Sequence, residues 1–302
     1  MFDISQFRLP VGTGATAAVA WMTDNLSGLF SVISRSLFAS FQFLEDLLLG
    51  PPEIVIVILF CVLAWVVGNW KFSLFTALSF LLVIGMSLWS ETMSTLSMVL
   101  VSSIIAAVMG IPLGILSARY PRFDRIMQPI LDFMQTMPAF VYLIPAIIFF
   151  GIGIVPGVVA TIIFAMPPAT RMTRLGLLQV DPETVEAGEA FGASPLSILV
   201  QVKIPLALPS IMAGVNQVIM LALSMVVTAG IVGAGGLGAA VYRGVTRLDV
   251  GLGFEAGLSV VVLAVFLDRV TSYLGKRFTK KRAADNRRRA QKTAGNGITR
   301  TR

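Results

Sequence analysis

Seven long apolar stretches constrain this chain more than any other feature, at 53–69, 72–89, 96–117, 129–150, 154–170, 205–229 and 252–274. A helix needs about 20 mostly apolar residues to cross a bilayer, so each stretch reads as a spanning helix. The expected fold class is all-α, a polytopic transmembrane helical bundle of about seven spans. Composition agrees: of 302 residues 56% are hydrophobic and 13% charged, against roughly 25% charged in ordinary soluble domains. Disorder fails for the opposite reason, because apolar residues are far too plentiful.

Much catalytic chemistry is excluded as well. Histidine is absent, which removes Ser-His-Asp and Cys-His catalysis, zinc–histidine sites and histidine proton relays. The single cysteine, Cys61, can form neither an intramolecular disulfide nor a cysteine metal cluster, and in its apolar run it reads as a small buried hydrophobe. No catalytic, metal-ligating or cofactor-binding residue is expected.

The net charge of +7 is unevenly spread. Residues 276–302 carry eleven Lys/Arg against Asp285, so that segment is +10 and the other 275 residues are −3. It directly follows the last apolar stretch, so the positive-inside rule explains it as a basic cytoplasmic tail. Attraction to anionic lipid accompanies such a tail, at about 1 kcal/mol per basic residue near the surface. No basic fold accompanies it, so nucleic acid is not an expected partner. With that end inside and seven spans, the N-terminus is outside, and the cytoplasmic face receives 18 of the 23 basic residues, Lys71, Arg119, Arg122, Arg125, Arg171, Arg174 and Lys203 among them. Residues 1–50 show no cleavable signal peptide. Within them 26–49 (Leu26, Leu29, Phe30, Ile33, Leu37, Phe38, Phe41) reads as an amphipathic segment at the interface. Asp268 and Arg269 lie near the presumed cytoplasmic end of the last span, within reach of headgroups.

Pro112, Pro129, Pro138, Pro145, Pro156, Pro167, Pro168 and Pro209 interrupt the stretches. Broken helices are tolerated where neighbours or a water-filled cavity satisfy the freed backbone groups. This pattern suits a packed transport domain better than a set of anchors, although kinked packing alone would also produce it.

Between the fifth and sixth stretches lies one long cytoplasmic loop, 181–200. Asp181 is a good N-cap, Pro182 suits the first helical position, and Glu183 favours the positive end of the dipole. Gly192 is a good C′ terminator, and Ser194-Pro195 starts a new helix at once. The expectation is a helix of about ten residues, roughly 15 Å long, a bend, and a second helix entering the membrane. Glu183, Glu186 and Glu189 recur at spacing three, while Ala187, Gly188 and Ala190 keep the surface low. Such a helix is a lever that a soluble partner can grip; the plainer alternative is a solvated surface hairpin.

This loop resembles the EAA motif of bacterial ABC importer permeases. Glu186-Ala187-Gly188, Gly192 and Val202-Lys203-Ile204-Pro205 keep its spacing, with departures at Gly188, Val202 and Ile204, and the likeness implies a coupling role for the loop that includes Ala193. Longer strings resemble the glycine betaine/proline betaine permeases in particular: Phe133 to Pro145, Phe150 to Gly153, Ala213 to Val227, and Gly235 to Asp249. The likeness spans roughly 70–275. It implies a type I importer permease, MetI-like, with two accessory helices in 51–90, the transmembrane domain in 91–275 and a coupling loop that docks on a separate ATPase. It implies as partners that ATPase, which would hold the ATP and magnesium, a periplasmic or tethered binding protein, and a second copy of this chain. The implied cargo is a betaine-type zwitterion, and the implied location the cell inner membrane.

Polar residues inside the stretches are candidates for the translocation path. Gln135 and Thr136 sit in the fourth; Asn216, Gln217 and Ser224 sit in the sixth, and Asn216, Met220 and Ser224 share a face at spacing four. Interhelical hydrogen bonding, typically worth about 0.6 kcal/mol each, is the competing explanation. Gly233-Ala-Gly-Gly-Leu-Gly238 fits G-x-G-x-x-G but lacks the βαβ frame, and reads as a turn or a close helix contact. No G-x-x-x-x-G-K-[ST] is present, so no P-loop hydrolyses ATP here. The rival function is a stand-alone ion-coupled transporter, which calls for membrane-embedded ionisable groups and paired repeats. Only Asp132, Asp268 and Arg269 come close.

Overall fold

A computed structural model describes the backbone of residues 11–298 and the side chains of 12–14 and 16–276. Twelve α-helices make up the described chain: α1 (Val11–Leu49), α2 (Glu53–Val67), α3 (Trp70–Gly85), α4 (Trp89–Arg119), α5 (Pro121–Thr136), α6 (Ala139–Phe150), α7 (Ile154–Leu178), α8 (Pro182–Ala190), α9 (Pro195–Ile198), α10 (Ile204–Ala229), α11 (Gly236–Thr246) and α12 (Val250–Ile298). No strand occurs among the described residues.

The molecule has two ends. At one, the α2–α3 turn meets the later part of α12, where a Cβ on Gly68 would lie 3.0 Å from the Tyr273 ring, and Gly275 meets Met212 near the start of α10. The loop carrying α8 and α9 is at this end. At the other end Glu91 of α4 pairs with Arg243 of α11 at 3.4 Å, and the Leu237 N–H donates to Thr95 Oγ1 at 2.8 Å.

The span count, however, comes out below seven. Four helical segments are long and apolar enough to cross a membrane alone: Trp89–Arg119, Ile154–Leu178, Pro195–Val232 and Val250–Lys276. Counting each bent pair as one span, α1–α2 (99°) and α5–α6 (97°), raises this to six, and α3 is a shorter apolar helix. The window 129–150 is therefore not one straight span. Pro138 cannot donate to the Met134 carbonyl, and it pushes the residue before it out of helical geometry; Met137 accordingly takes ψ 134. The Tyr142 hydroxyl donates to that same Met134 carbonyl, so the break keeps its backbone bonded inside the membrane. Helices α2 and α3 are short because Gly50-Pro51-Pro52 and Gly68-Asn69 bound them, leaving 15 residues in α2 and 16 in α3, or roughly 22–24 Å at about 1.5 Å each.

The core is formed by α4, α7 and α10. Helix α7 lies between the other two and approaches them through small residues: a Cβ on Gly114 would stand 2.5 Å from the Thr170 carbonyl, and one on Gly176 2.7 Å from Ser210 Cβ. Close backbone approach through small residues is how membrane helices gain packing without a hydrophobic drive. Helix α1 is longer than the amphipathic window 26–49 and packs on α4, α6 and α7, burying Leu37, Phe41 and Leu48 and stacking Phe30 on Phe149 at 4.6 Å. Leu29 and Phe38, from the same window, stay exposed. The basic segment 276–302 continues α12 in backbone to Ile298. Beyond Lys276 its side chains lie outside those described, as do residues 1–10.

Candidate functional site

The loop between α7 and α10 folds as its residues dictate. The Asp181 carboxylate accepts from the Glu183 N–H at 3.0 Å, Pro182 takes the first helical position, and α8 runs nine residues. Gly192 follows at φ +74°, with its N–H donating to Glu189 O at 2.8 Å and the Ala193 N–H to Gly188 O at 3.1 Å. Those two bonds close the helix end in the Schellman pattern, which needs a left-handed residue at that position. Ser194 accepts from the Ser197 N–H at 3.2 Å and opens α9.

A π-turn over Leu199–Lys203 then joins α9 to α10. Pro205, which cannot donate an N–H, follows immediately, and such wide turns recur where the helical ladder is interrupted. The loop is thus a rigid hairpin of helices with one defined corner. Glu183, Glu186, Ala187, Glu189, Ala190, Gly192 and Ala193 are all exposed, while Gly188 faces Ile198. A Cβ on Gly188 would meet Ile198 Cγ1 at 3.6 Å, ordinary contact. The departure from Ala at this motif position thus has no steric cause. Val185 and Glu189 border a cavity of about 180 Å³ shared with Ile115 of α4, Leu177 of α7 and Ile198 of α9, while α8 itself packs on α9 and the turn that follows it.

Reading the sequence alone missed Phe191, at the corner itself. It is 93% exposed, although α8 buries no residue of its own. An aromatic between Ala190 and Gly192 in a polar loop was the available signal.

The proposed path residues separate into two groups. Gln217, Met220 and Ser224 are exposed on α10, in line with Leu206, Pro209 and Ala213 along the helix. Asn216, one residue away, turns to α12: its amide donates to Asp268 Oδ1 at 3.0 Å, and its Oδ1 accepts from Thr271 Oγ1 at 2.5 Å. Asn216 and Asp268 are thus bonded to each other between α10 and α12. Gln135 and Thr136 are exposed at the end of α5 beside the Pro138 break, with Thr136 Oγ1 bonded to Phe133 O at 3.1 Å.

Two ion pairs fix α5 to α7. Arg174 donates to Asp124 at 2.6 Å, and Arg171 pairs with Asp132. Both arginines belong to the half of α7 that leads into α8, so the ion pairs tie α5 to the helix that carries the α8–α9 loop. The sequence presents these arginines only as members of a basic face. Their partners lie 39 and 50 residues away.

The glycine string 233–238 makes a tight turn. Gly233, Gly235 and Gly236 take φ +87°, +81° and +62°, and a Cβ on Gly238 would stand 2.2 Å from the Val227 carbonyl oxygen. It joins the end of α10 to α11 where only glycine fits.

Known proteins share this arrangement. The chain is 48% identical to the glycine betaine transport system permease protein OpuAB of Bacillus subtilis, over 87% of this chain and 94% of that one. It is 44% identical to the glycine betaine/proline betaine permease protein ProW of Escherichia coli (93% and 78%). It is 48% identical to the glycine betaine/carnitine permease protein GbuB of Listeria monocytogenes (89% and 96%). Among solved structures, the MetNI methionine ABC transporter in inward-facing conformations matches at 26% identity and TM-score 0.56, covering 64% of this chain and 95% of that one. Residues 110–280, which hold α7, the coupling loop and α10, match the family described as binding-protein-dependent transport system inner membrane component, and the chain belongs to that family.

Proposed function

We propose that this chain is the membrane-spanning permease subunit of an ATP-driven importer for glycine betaine, proline betaine or a related quaternary ammonium zwitterion. One observation carries the reading beyond family membership. The helix α8 stands exposed at one end of the bundle, with its corner fixed by Gly192 and its contacts on α9 and the turn leading into α10, where a soluble partner can push on the spans. In this reading Glu183, Glu186, Glu189 and the small residues Ala187, Gly188, Ala190 and Ala193 form the face gripped by a separate ATPase subunit, which holds ATP and magnesium. The transmembrane domain is 91–275, with 51–90 accessory. The coupling-loop end, rich in basic residues, is cytoplasmic together with the C-terminus, and the N-terminus is outside. A binding protein delivers substrate to the outer face.

Gln217 and Ser224 lie exposed on a spanning helix, and polar groups facing hydrocarbon are costly. A second copy of this chain across a shared path gives them a polar surrounding, and Gln135 and Thr136 at the α5 bend contribute to the same path. An ion-coupled carrier working alone would need an intramembrane carboxylate free to bind and release its ion; Asp268 is held by Asn216. Reconstitution with the cognate ATPase and binding protein tests the reading. Glycine betaine should stimulate ATP hydrolysis and drive uptake; uptake that persists without ATPase or ATP refutes it.

A further inference from the structure

A cleft of about 820 Å³ opens at the coupling-loop end between α2, α10 and α12. Its deeper part is bounded by Asn216 and Thr271, its walls by Val66, Val67, Pro209 and Met212, and its outer part by Tyr273 and Lys276. On α10 the cleft is bordered by Pro209 and Ala213, at the loop-side end of the exposed line that continues to Gln217, and Asn216 is bonded to α12. At the mouth, the α2–α3 turn places exposed Trp70 and Lys71 directly after Asn69, whose amide reaches the Tyr273 hydroxyl at 3.5 Å. Tryptophan, tyrosine and lysine are the types that collect at headgroup depth, so the cleft runs from the headgroup layer into the hydrocarbon.

The chemistry of the lining selects one class of ligand. The walls at Val66, Val67, Pro209 and Met212 are apolar, and the polar groups deeper in, Asn216 and Thr271, are bonded to each other and to Asp268. Lys276 in the lining, with Lys71 three residues after the lining residue Gly68, favours an anion and repels a free quaternary ammonium ion. Lys276 also begins the segment 276–302, with its eleven basic residues against one acid. Its volume is within the roughly 300–1,000 Å³ of sites that enclose drug-sized ligands, room for a headgroup and upper acyl chains. We propose that this cleft binds an anionic phospholipid of the leaflet on the coupling-loop side. The phosphate lies between Lys71 and Lys276, and an acyl chain lies along Val66, Val67 and Met212. The bound lipid braces the α2–α3 hairpin against α10, the helix that leads out of the coupling loop.

The test uses the full chain in detergent, with phosphatidylglycerol and phosphatidylcholine retention read by native mass spectrometry. Wild type should retain phosphatidylglycerol in preference. Lys71→Gln with Lys276→Gln should reduce that preference about 25-fold, roughly fivefold for each lysine at an anionic surface. Ala213→Trp, which fills the cleft, should displace both lipids, and Arg122→Gln with Arg125→Gln, at the same end but outside the cleft, should leave the preference intact. The proposal is overturned if the lysine variant keeps the wild-type preference, or if the arginine variant loses as much. Displacement of phosphatidylglycerol by millimolar inorganic phosphate also overturns it, since the ligand is then free phosphate. Should Ala213→Trp fail to fold, the lysine and arginine variants decide alone.

Discussion

Phe191→Ala should separate docking of the ATPase from every other property of the permease. The side chain is 93% exposed at the corner of the coupling loop, so removing it leaves no cavity. Thermal unfolding of the purified chain should therefore move little, by an amount equivalent to about 0.5 kcal/mol or less, as for other exposed positions. Docking is different. A phenyl side chain presents about 200 Å², and burying nearly all of it at about 25 cal/mol per Å² sets a ceiling near 5 kcal/mol. Truncation of an interface anchor realises about 2–4 kcal/mol of such a ceiling, which is roughly a 30- to 1,000-fold weaker Kd. The assay is titration of the ATPase onto the permease in nanodiscs, with substrate-stimulated ATP hydrolysis measured in parallel. Unchanged affinity would refute the docking role of this corner. A loss of affinity matched by a loss of thermal stability would show that Phe191 supports the fold instead.

Three further expectations follow from the geometry. Gly188→Ala should be tolerated in uptake and raise stability slightly, by about 0.5–1 kcal/mol, since its Cβ meets only ordinary contact; Gly192→Ala should cost about 1–2 kcal/mol because φ is +74°. Equal melting temperatures for the two variants would contradict this. Asn216→Leu should fail through stability, because it strands Asp268 within the bundle, whereas Gln217→Leu should insert and melt normally yet transport poorly; expression, melting and uptake assays distinguish the two, and identical behaviour would remove the separation of faces on α10. Tyr142→Phe should cost about 1–3 kcal/mol by leaving the Met134 carbonyl without its partner, and an unchanged melting temperature would show that the Pro138 break is satisfied otherwise.

The coupling loop was legible in the sequence nearly residue by residue. Its determinants are local: Asp181 and Ser194 as caps, Pro182 and Pro195 at first helical positions, and Gly192 in the left-handed turn each act within four residues. The apolar windows were legible for the same reason, since hydrocarbon acts on each helix separately. The path was legible only in part. A spacing of four groups Asn216 with Met220 and Ser224, but whether that face meets lipid, a path or α12 depends on where α12 lies. The long window 129–150 carried its break at Pro138 in plain view, yet apolar content alone does not show that the chain turns 97° there.

The sequence by itself determined that this is a helical membrane protein without histidine chemistry, and that one rigid helical corner stands between two of its spans. Hydropathy, caps and turn residues act over a few positions, so no tertiary contact was needed. Tertiary structure alone decided that Asn216 serves α12 and that the Tyr142 hydroxyl satisfies the carbonyl freed by Pro138. It also paired Asp124 and Asp132 with arginines of α7, left Phe191 uncovered, and brought Lys276 beside the α2–α3 turn. The pairings of Asn216, Asp124, Asp132 and Lys276 join residues 39 or more positions apart, and such pairings are fixed by how helices pack rather than by any local preference.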